Sequence, residues 1–597
     1  MAWFINALRT SGNEYCGQYE PMTVLFAIPV AYAAIQTVGV LYRSGVAHTL
    51  ANGIRRATWW IPAVRRRYDE QISTQFARFQ KTAAQHWTKF GKAHTEIPQD
   101  GMSEEALSLL IERYRQATHR ELEKQQITGG IYSKSFTRDE RSLILDALRT
   151  CVQGSATSIS LRRLFLQAFE ASYLWNPLHA KEFAAGQFIH FQLIRMLGEE
   201  FGARPENIAG FVTSGGTESL MTAARAYMLW GVREKGLREE ECVILAPHSI
   251  HAALIKAQID YRFQLVLLPT DETGRVLLAD MHREIRKHGK NIVAIFGSAP
   301  SYPMGKIDPI AEMVQEAKRL GCGMHVDCCL GGLVVEFLKQ DARYLNDHNI
   351  TSLSVDPHKN GLAPKGCSVL LTQRMPTGKN LAFYPIYAIP DWSGGMYATP
   401  TMAGSQSSVA AFCAFLALLH IGKNGYRAQA ERIHRAAVQL GNRLSALGGL
   451  EVLGGVEANV VAFRVAPRLG YETGATYGLT HLLQSNGFTC SNLRGDAAHF
   501  CVTDRFASDE SAVQRFSEAA ITCLAELPWL NVEKIQHGTP FPGEASLYGD
   551  ISSALKPDKE ELSWGKYFEL SLFGKLGVDD ATRAHVLARI NPDLAFQ

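Results

Sequence analysis

Four short segments carry side chains whose types and spacing suit acid–base and covalent chemistry. Thr213-Ser214-Gly215-Gly216-Thr217-Glu218-Ser219 lies between an apolar run and a helical pattern. Its glycines admit close backbone approach, and the free N–H groups and positive dipole end of the following helix form an anion cup. It is not a Walker P-loop, because no Gly-Lys-Ser/Thr follows. Asp327 closes the run His-Val-Asp. A carboxylate there can pair with a ring nitrogen and keep it protonated. Lys359, in Asp356-Pro357-His358-Lys359, can form a Schiff base with an aldehyde. His251, five residues after Ala246, offers an imidazole that can stack on a flat ring. Taken singly, each also has a structural reading: a plain strand–helix turn, an N-cap or ion pair, a surface lysine, a structural histidine. Taken together and in this order they are what pyridoxal phosphate requires. Its phosphate goes to Gly215, Gly216 and Thr217, its ring nitrogen to Asp327 and its aldehyde to Lys359. Protonating the nitrogen makes the ring an electron sink. A metal is not expected: His248/His251 and Cys328/Cys329 have no third or fourth ligand nearby at a recognised spacing.

These residues need elements that bring them to one edge. From about 205 to 371 short apolar runs alternate with helical patterns. The predicted strands are 210–214, 242–246, 264–269, 291–297, 323–327, 351–356 and 367–372. Such alternation predicts an α/β fold, a mostly parallel central sheet with helices on both faces. Ligands in such folds sit at the carboxyl ends of strands, where all four segments fall. Ser103 reads as the N-cap of a helix running to about Lys124. A long helical stretch follows 405, in two pieces, Ala410 to Ile421 and Tyr426 to Leu447. Shorter segments at 456–465 and 497–504 then suggest a smaller α+β C-terminal domain. The expected divisions are 1–67, a membrane anchor with a basic segment; 68–170, helical; 171–417, the large cofactor-binding domain; and 418–597, the small domain.

The chain has 597 residues, 46% hydrophobic and 20% charged, with a net charge of +3. That is globular composition, and the charge is too small for a dedicated nucleic-acid binder. The basic excess is local: residues 1–100 hold 11 Lys and Arg against 6 Asp and Glu. The 11 cysteines are scattered without a CxxC pair, as expected of reduced thiols in a cytosol-facing domain. Residues 22–42 contain no charge and are long enough to span a bilayer as a helix. Arg43, Arg55, Arg56, Arg65, Arg66 and Arg67 follow, which puts the rest of the chain on the cytosolic side. Trp59 and Trp60 suit a headgroup-level anchor. A cleaved signal peptide would want a basic start and a shorter apolar core; a buried core helix is the other alternative.

Over residues 95–550 the sequence resembles the fold-type-I pyridoxal-phosphate enzymes, and among them the sphingosine-1-phosphate lyase family. The likeness rests on IPQDGMSEEA, GGIY, YLWNPLH, VTSGGTES, APHSIHAA, IDP, HVDCCLGG, SVDPHKNGLAPKG, DWSGGMYATPTMAGS and HFCVTD. It implies that Lys359 bonds the cofactor, His251 stacks on its ring and Asp327 holds its nitrogen. His358, Thr217 and Gly216 would contact its phosphate. Tyr132, Asn176, His179, Lys365 and Ser405 would surround the substrate's own phosphate and reacting carbons, with Tyr302 facing the substrate. The implied reaction is retro-aldol cleavage of a phosphorylated sphingoid base to phosphoethanolamine and a long-chain aldehyde. The implied assembly is a homodimer, with parts of GGIY and YATPTMAGS supplied by the partner chain. A membrane anchor suits a lipid substrate, in the endoplasmic reticulum of a eukaryote or the inner membrane of a bacterium. Three departures stand out: Gln406 where relatives usually have Arg, Cys328 for a usual Ala expected beneath the ring, and a longer segment at 374–392. The alternatives are an amino-acid decarboxylase and a membrane-anchored binding protein without turnover. The His179/Lys365 pair separates the lyase from the decarboxylase.

Overall fold

Seven of the apolar runs form one sheet. Its strands are β1 (Ala209–Thr213), β2 (Val243–Pro247), β3 (Gln264–Leu268), β4 (Ile292–Ser298), β5 (Gly323–Cys328), β6 (Ser352–Val355) and β7 (Ser368–Thr372). Their spatial order is β1-β7-β6-β5-β4-β2-β3. β2 to β6 run parallel. β7 is antiparallel to both neighbours, so the sheet is mostly parallel with one reversed strand. β2, β4, β5, β6 and β7 are buried along their whole length. Burial on both faces explains why β2, β4 and most of β7 read as continuous apolar runs, whereas β5 and β6 alternate, with His325, Asp327, Ser352 and Ser354 on one face. The computed structural model describes residues 87–123, 156–179, 182–338, 344–347, 349–399, 401–469 and 474–527. The predicted span at 22–42, the arginine cluster, Tyr132 and the tail after Pro542 lie outside the described residues.

The helices are α1 (Glu104–Glu123), α2 (Ala156–Ser172), α3 (Ala184–Glu200), α4 (Gly216–Trp230), α5 (Ala253–Tyr261), α6 (Leu278–His288), α7 (Ile310–Leu320), α8 (Gly332–Leu338), α9 (Val409–Ala446), α10 (Ala475–Ser485) and α11 (Ala512–Glu526). α7 shows why such segments are helical. Ile310, Met313, Val314 and Ala317 recur at helical spacing and are buried, Lys318 and Arg319 face the negative end of the dipole, and Gly321 ends the helix at φ 60°. Ser103 caps α1 as predicted, its Oγ accepting from Ala106 N at 3.2 Å.

The two faces of the sheet feed two cores. Met324, Val326 and Cys328 of β5 join one, with α3 and α9. Phe296, Ile244 and Leu370 join the other, with Leu220, Ala224 and Tyr227 of α4. Helix α9 is 38 residues long and bends at Gly422, the break seen in the sequence. The segment around Gly101 fills the bend: Lys423 N donates to Pro98 O and Met102 N to Leu419 O, each at 2.8 Å. Among the described residues only α9 is long and apolar enough to cross a membrane, and 61% of its apolar window is buried. Its apolarity therefore serves the core.

A second sheet follows, antiparallel throughout, in the order β10 (Leu450–Val452), β11 (Val460–Val465), β13 (Ala497–Cys501), β12 (Ser491–Leu493). Helices α9 and α10 pack against it, and α11 packs on both helices. The long 374–392 segment ends in β8 (Tyr387–Trp392), which pairs with β9 (Gly395–Thr399) as a hairpin that leaves Ile389 and Trp392 half exposed.

Candidate active site

The glycine turn between β1 and α4 is fixed from below. Thr213 Oγ1 lies 2.7 Å from Ser219 Oγ, which lies 2.8 Å from Ser368 Oγ on β7. Glu218 turns back to accept from Ser214 N and Oγ, at 2.8 and 2.7 Å. A Cβ on Gly216 would fall 2.8 Å from Cys329 Sγ and 2.9 Å from Asp356 Oδ2. Only glycine fits there. Thr217, half-buried, opens the helix beside it.

The ends of β5 and β6 supply the charges. Asp327 pairs with Ser354 in register. Its Oδ1 accepts from Cys329 N at 3.0 Å and from Ser354 Oγ at 3.2 Å. Just past β6, Asp356 Oδ2 lies 3.0 Å from Lys359 Nζ and 3.3 Å from His358 Nε2. Burial pushes the Asp356 carboxyl up, but His358 and the Lys359 charge outweigh it and hold it below the usual range. Burial likewise pushes Lys359 down, and Asp356 reverses this and raises it. His358 Nδ1 accepts from Gly366 N and Cys367 N, both at 3.2 Å. Its proton is therefore on Nε2, directed at Asp356.

The turn that carries Lys359 is clamped by α9. Tyr426 OH donates to Gly361 O at 2.9 Å and Gln429 Nε2 to Asn360 O at 2.7 Å. Asn360 Nδ2 donates to Leu330 O at 2.9 Å. The turn also holds Leu362 in the left-handed region, at φ 60°. A non-glycine residue there is held by its surroundings.

His251 completes this half. Its Nδ1 accepts from Ala253 N at 3.1 Å. Burial lowers the affinity of its ring for a proton, while Asp327 pulls the other way and Lys359 adds to the lowering. The Tyr302 ring meets His251 edge-on at 6.1 Å and His499 at 4.8 Å. Tyr302 OH donates to Ser491 Oγ of the second sheet at 3.3 Å.

The remaining predicted residues form a looser group. Asn176 Nδ2 donates to Ser405 Oγ at 3.0 Å, and its Oδ1 accepts from Gln406 N at 3.3 Å. His179 N donates to Asn176 O at 3.0 Å. Gln406 Nε2 donates to Thr401 Oγ1 at 2.6 Å. Lys365 is exposed, its Nζ 3.3 Å from His358 O. The structure thus joins Asn176, His179 and Ser405, and separately joins Lys365 to the Lys359 turn. Gln406 ties two loops together through its amide.

Sequence reasoning misplaced one residue and passed over others. Cys328 does not lie on the site face: strand alternation turns it into the α3/α9 core, and Cys329 is the thiol beside Gly216. Asp356, noted in the sequence only as a neighbour of Lys359, anchors it. Its signal was present, an acid three residues before the lysine at a strand end. Ser354 and Tyr426 had no local signal, because register and the course of α9 bring them in.

A family profile described as "Pyridoxal-dependent decarboxylase conserved domain" matches residues 188–466. "Sphingosine-1-phosphate lyase 1" of Rattus norvegicus is 33% identical over 351 residues, 58% of this chain and 59% of the relative. The matched part thus spans about three-fifths of that relative's length. "Sphingosine-1-phosphate lyase" of Dictyostelium discoideum is 30% identical over 405 residues, 67% of this chain and 71% of the relative. The chain belongs to the sphingosine-1-phosphate lyase family. The solved sphingosine-1-phosphate lyase of Burkholderia pseudomallei shares the fold, with a TM-score of 0.55 at 24% identity, covering 76% of this chain and 99% of the other.

The family's cofactor is pyridoxal 5′-phosphate, and the residues present fit it. The cradle has no room for a side chain at Gly216, where the backbone can come close to a bound group. Both Asp356 oxygens are buried, and Oδ2 is shared by Lys359 and His358. Asp327 uses only Oδ1 for its two donors.

Proposed function

We propose that the chain cleaves a phosphorylated sphingoid base, sphingosine-1-phosphate, to phosphoethanolamine and a long-chain aldehyde. The observation that carries this reading is the convergence of Lys359, Asp356, Asp327 and His251 at adjoining strand ends, with a separate polar group at Asn176, His179 and Ser405. Bound pyridoxal phosphate supplies an electron sink for the breaking C2–C3 bond. Every other part of the chemistry falls to the chain. Gly215, Gly216, Thr217 and His358 would hold the cofactor phosphate, and Lys359 its aldehyde. His251 would lie on the ring and Asp327 would keep the nitrogen protonated.

A substrate with its own phosphate needs a second anion site. Lys365 and His179 would form it, with Asn176, Ser405, Tyr302 and Tyr132 around the reacting carbons. Holding that phosphate would also orient the C2–C3 bond for cleavage. The C3 hydroxyl proton would go to the Lys359 amine or a tyrosine. We read Gln406, which bonds Thr401 and Asn176, as holding the rim loop that an arginine would organise by charge.

We further propose a homodimer in which GGIY and residues 397–405 reach the partner's site; sedimentation of purified protein checks it, and a monomer active at all concentrations contradicts it. We also propose that residues 22–42 anchor the chain with its catalytic part in the cytosol. Protease protection of the C-terminal part on sealed, cytosol-out vesicles would contradict that. The reaction itself is tested by incubating the purified holoenzyme with sphingosine-1-phosphate. Phosphoethanolamine and aldehyde in equal amounts, absent with Lys359→Ala, support the lyase. Carbon dioxide release from an amino acid in its place would support a decarboxylase.

A further inference from the structure

The strand alternation that puts Asp327 in the site puts His325 on the same face, one pleat deeper. Its ring is fully buried and lies against Phe296, centroids 4.6 Å apart. The register sets His325 opposite Ser352 and Asp327 opposite Ser354. His325 Nδ1 is 2.7 Å from Ser352 Oγ, and its Nε2 is 3.2 Å from Ser354 Oγ. Ser354 Oγ is in turn 3.2 Å from Asp327 Oδ1. At the far end Tyr227 OH, from α4, is 2.6 Å from Ser352 Oγ. An unbroken line of polar groups thus runs from Tyr227 to Asp327 through an otherwise apolar core.

The protons along this line can be assigned. A carboxylate only accepts, so Ser354 gives its one proton to Asp327. Ser354 must then accept from His325 Nε2–H. Burial holds the His325 ring down to about 4, so it is neutral and carries that single proton. Its Nδ1 is bare and accepts from Ser352, which accepts from Tyr227. Thr351 Oγ1, 2.8 Å from the tyrosine oxygen, is left to donate to it or to Met324 O. Every donor in the line points at Asp327. Tyr227 OH can also donate to Met324 O at 3.1 Å, but from Ser352 to Asp327 the direction is fixed, and a chain aligned in this way strengthens its terminal bond.

We propose that His325 is a positioning residue: through Ser354 it fixes the Asp327 carboxylate by its Oδ1, so that the other oxygen is held toward the cofactor's ring nitrogen. This rests on the reading of Asp327 given above. A residue that served only the core would be replaceable by a well-packed apolar side chain, at a cost to stability alone. A positioning residue would change the cofactor's affinity and spectrum.

The test uses purified full-length protein, stripped of cofactor and titrated with pyridoxal phosphate, for the wild type and for His325→Leu, His325→Gln and Ser354→Ala. Kd, the pH dependence of the bound cofactor's visible absorbance and the thermal midpoint of the apoprotein are read for each. We expect Kd to rise about tenfold in His325→Leu and Ser354→Ala, the loss of one hydrogen bond to a charged group. The absorbance titration should shift with it, and kcat should fall by a similar factor at nearly constant KM. His325→Gln, which keeps one donor and one acceptor, should recover most of this. Variants with a lower thermal midpoint but wild-type Kd and absorbance would reduce His325 to a core residue and overturn the proposal. If His325→Leu does not fold, Ser354→Ala decides: a wild-type Kd there overturns it. A wild type that binds no cofactor would instead overturn the reading of the site, and this inference with it.

Discussion

At the strand ends Asp327 is 7% exposed, and the side chain of Asp356 only 1%. Asp327 is tied to Ser354 on the neighbouring strand and to Cys329 N, and Asp356 to His358 and Lys359 of its own turn. At the rim, Lys365 and Ser405 are exposed, and Asn176 and His179 half-buried. Their contacts are hydrogen bonds among exposed or half-buried loop groups. Low dielectric makes each charge at the strand ends matter more and leaves less freedom to move. The rim is wet, and its charges are screened. The strand-end group is therefore built by the register of the sheet, whereas the rim group depends on how its loops are held.

The sharpest break in this contrast is Asp356→Asn. Removing one partner of a largely buried pair should cost roughly 3 kcal/mol, the low end of such losses because the Lys359 side chain is 30% exposed. The pH dependence follows from the shifts. Asp356 is depressed, so its contribution is present above the unfolded value and lost only as pH falls through the lower folded value. Lys359 is raised, so its contribution is present below the unfolded value and lost only as pH rises through the higher folded value. Neither limit falls between about pH 5 and 9. Urea midpoints of wild type and variant should differ by a constant amount across that window. A difference that vanishes by pH 5 would mean the pair is not formed.

Asp327→Asn should come next in size. It keeps the shape but removes the charge that would hold a ring nitrogen protonated, and kcat should fall by about a hundredfold, near the upper end for a hydrogen bond between charged groups. Steady-state rates check this, and a loss confined to KM would place Asp327 outside the chemistry. At the rim, Lys365→Ala should raise KM about tenfold and leave kcat within a few-fold, as for lost uniform binding. An equal fall in kcat would move Lys365 into the reacting centre. The smallest effect belongs to Gln406→Ala, which loses one bond to Thr401, worth about 1 kcal/mol at most at a half-exposed site. KM should rise a few-fold, and no turnover at all would show that the rim loop is organised by Gln406 alone.

The same contrast governs how much was legible in the sequence. All seven predicted strands of the main sheet lie within a residue or so of those observed, because short apolar or alternating runs between helical patterns mark them, most of them buried. The break in α9 at Gly422 was legible for a local reason, a glycine with φ 67° in a helical pattern. Lys359, Asp327 and His251 were singled out because they lie at strand ends, where such folds bind ligands. His325, Ser354 and Tyr426 were not, since their importance comes from register and from α9 crossing beneath the Lys359 turn. Cys328 was set on the wrong face for the same reason: alternation along β5, not nearness to Asp327, decides which thiol faces the glycines. The rim was legible mainly through family resemblance, since exposed Asn, Ser and Lys in loops carry little pattern of their own.

The central claim is that pyridoxal phosphate is held at the Lys359 end of this sheet. Borohydride reduction of the holoenzyme fixes the lysine–cofactor bond, and peptide mass spectrometry then locates the pyridoxyl group. The account predicts one pyridoxyl group per chain, on Lys359. A label on Lys365 or another lysine, or no label on protein that retains its visible absorbance, would contradict it.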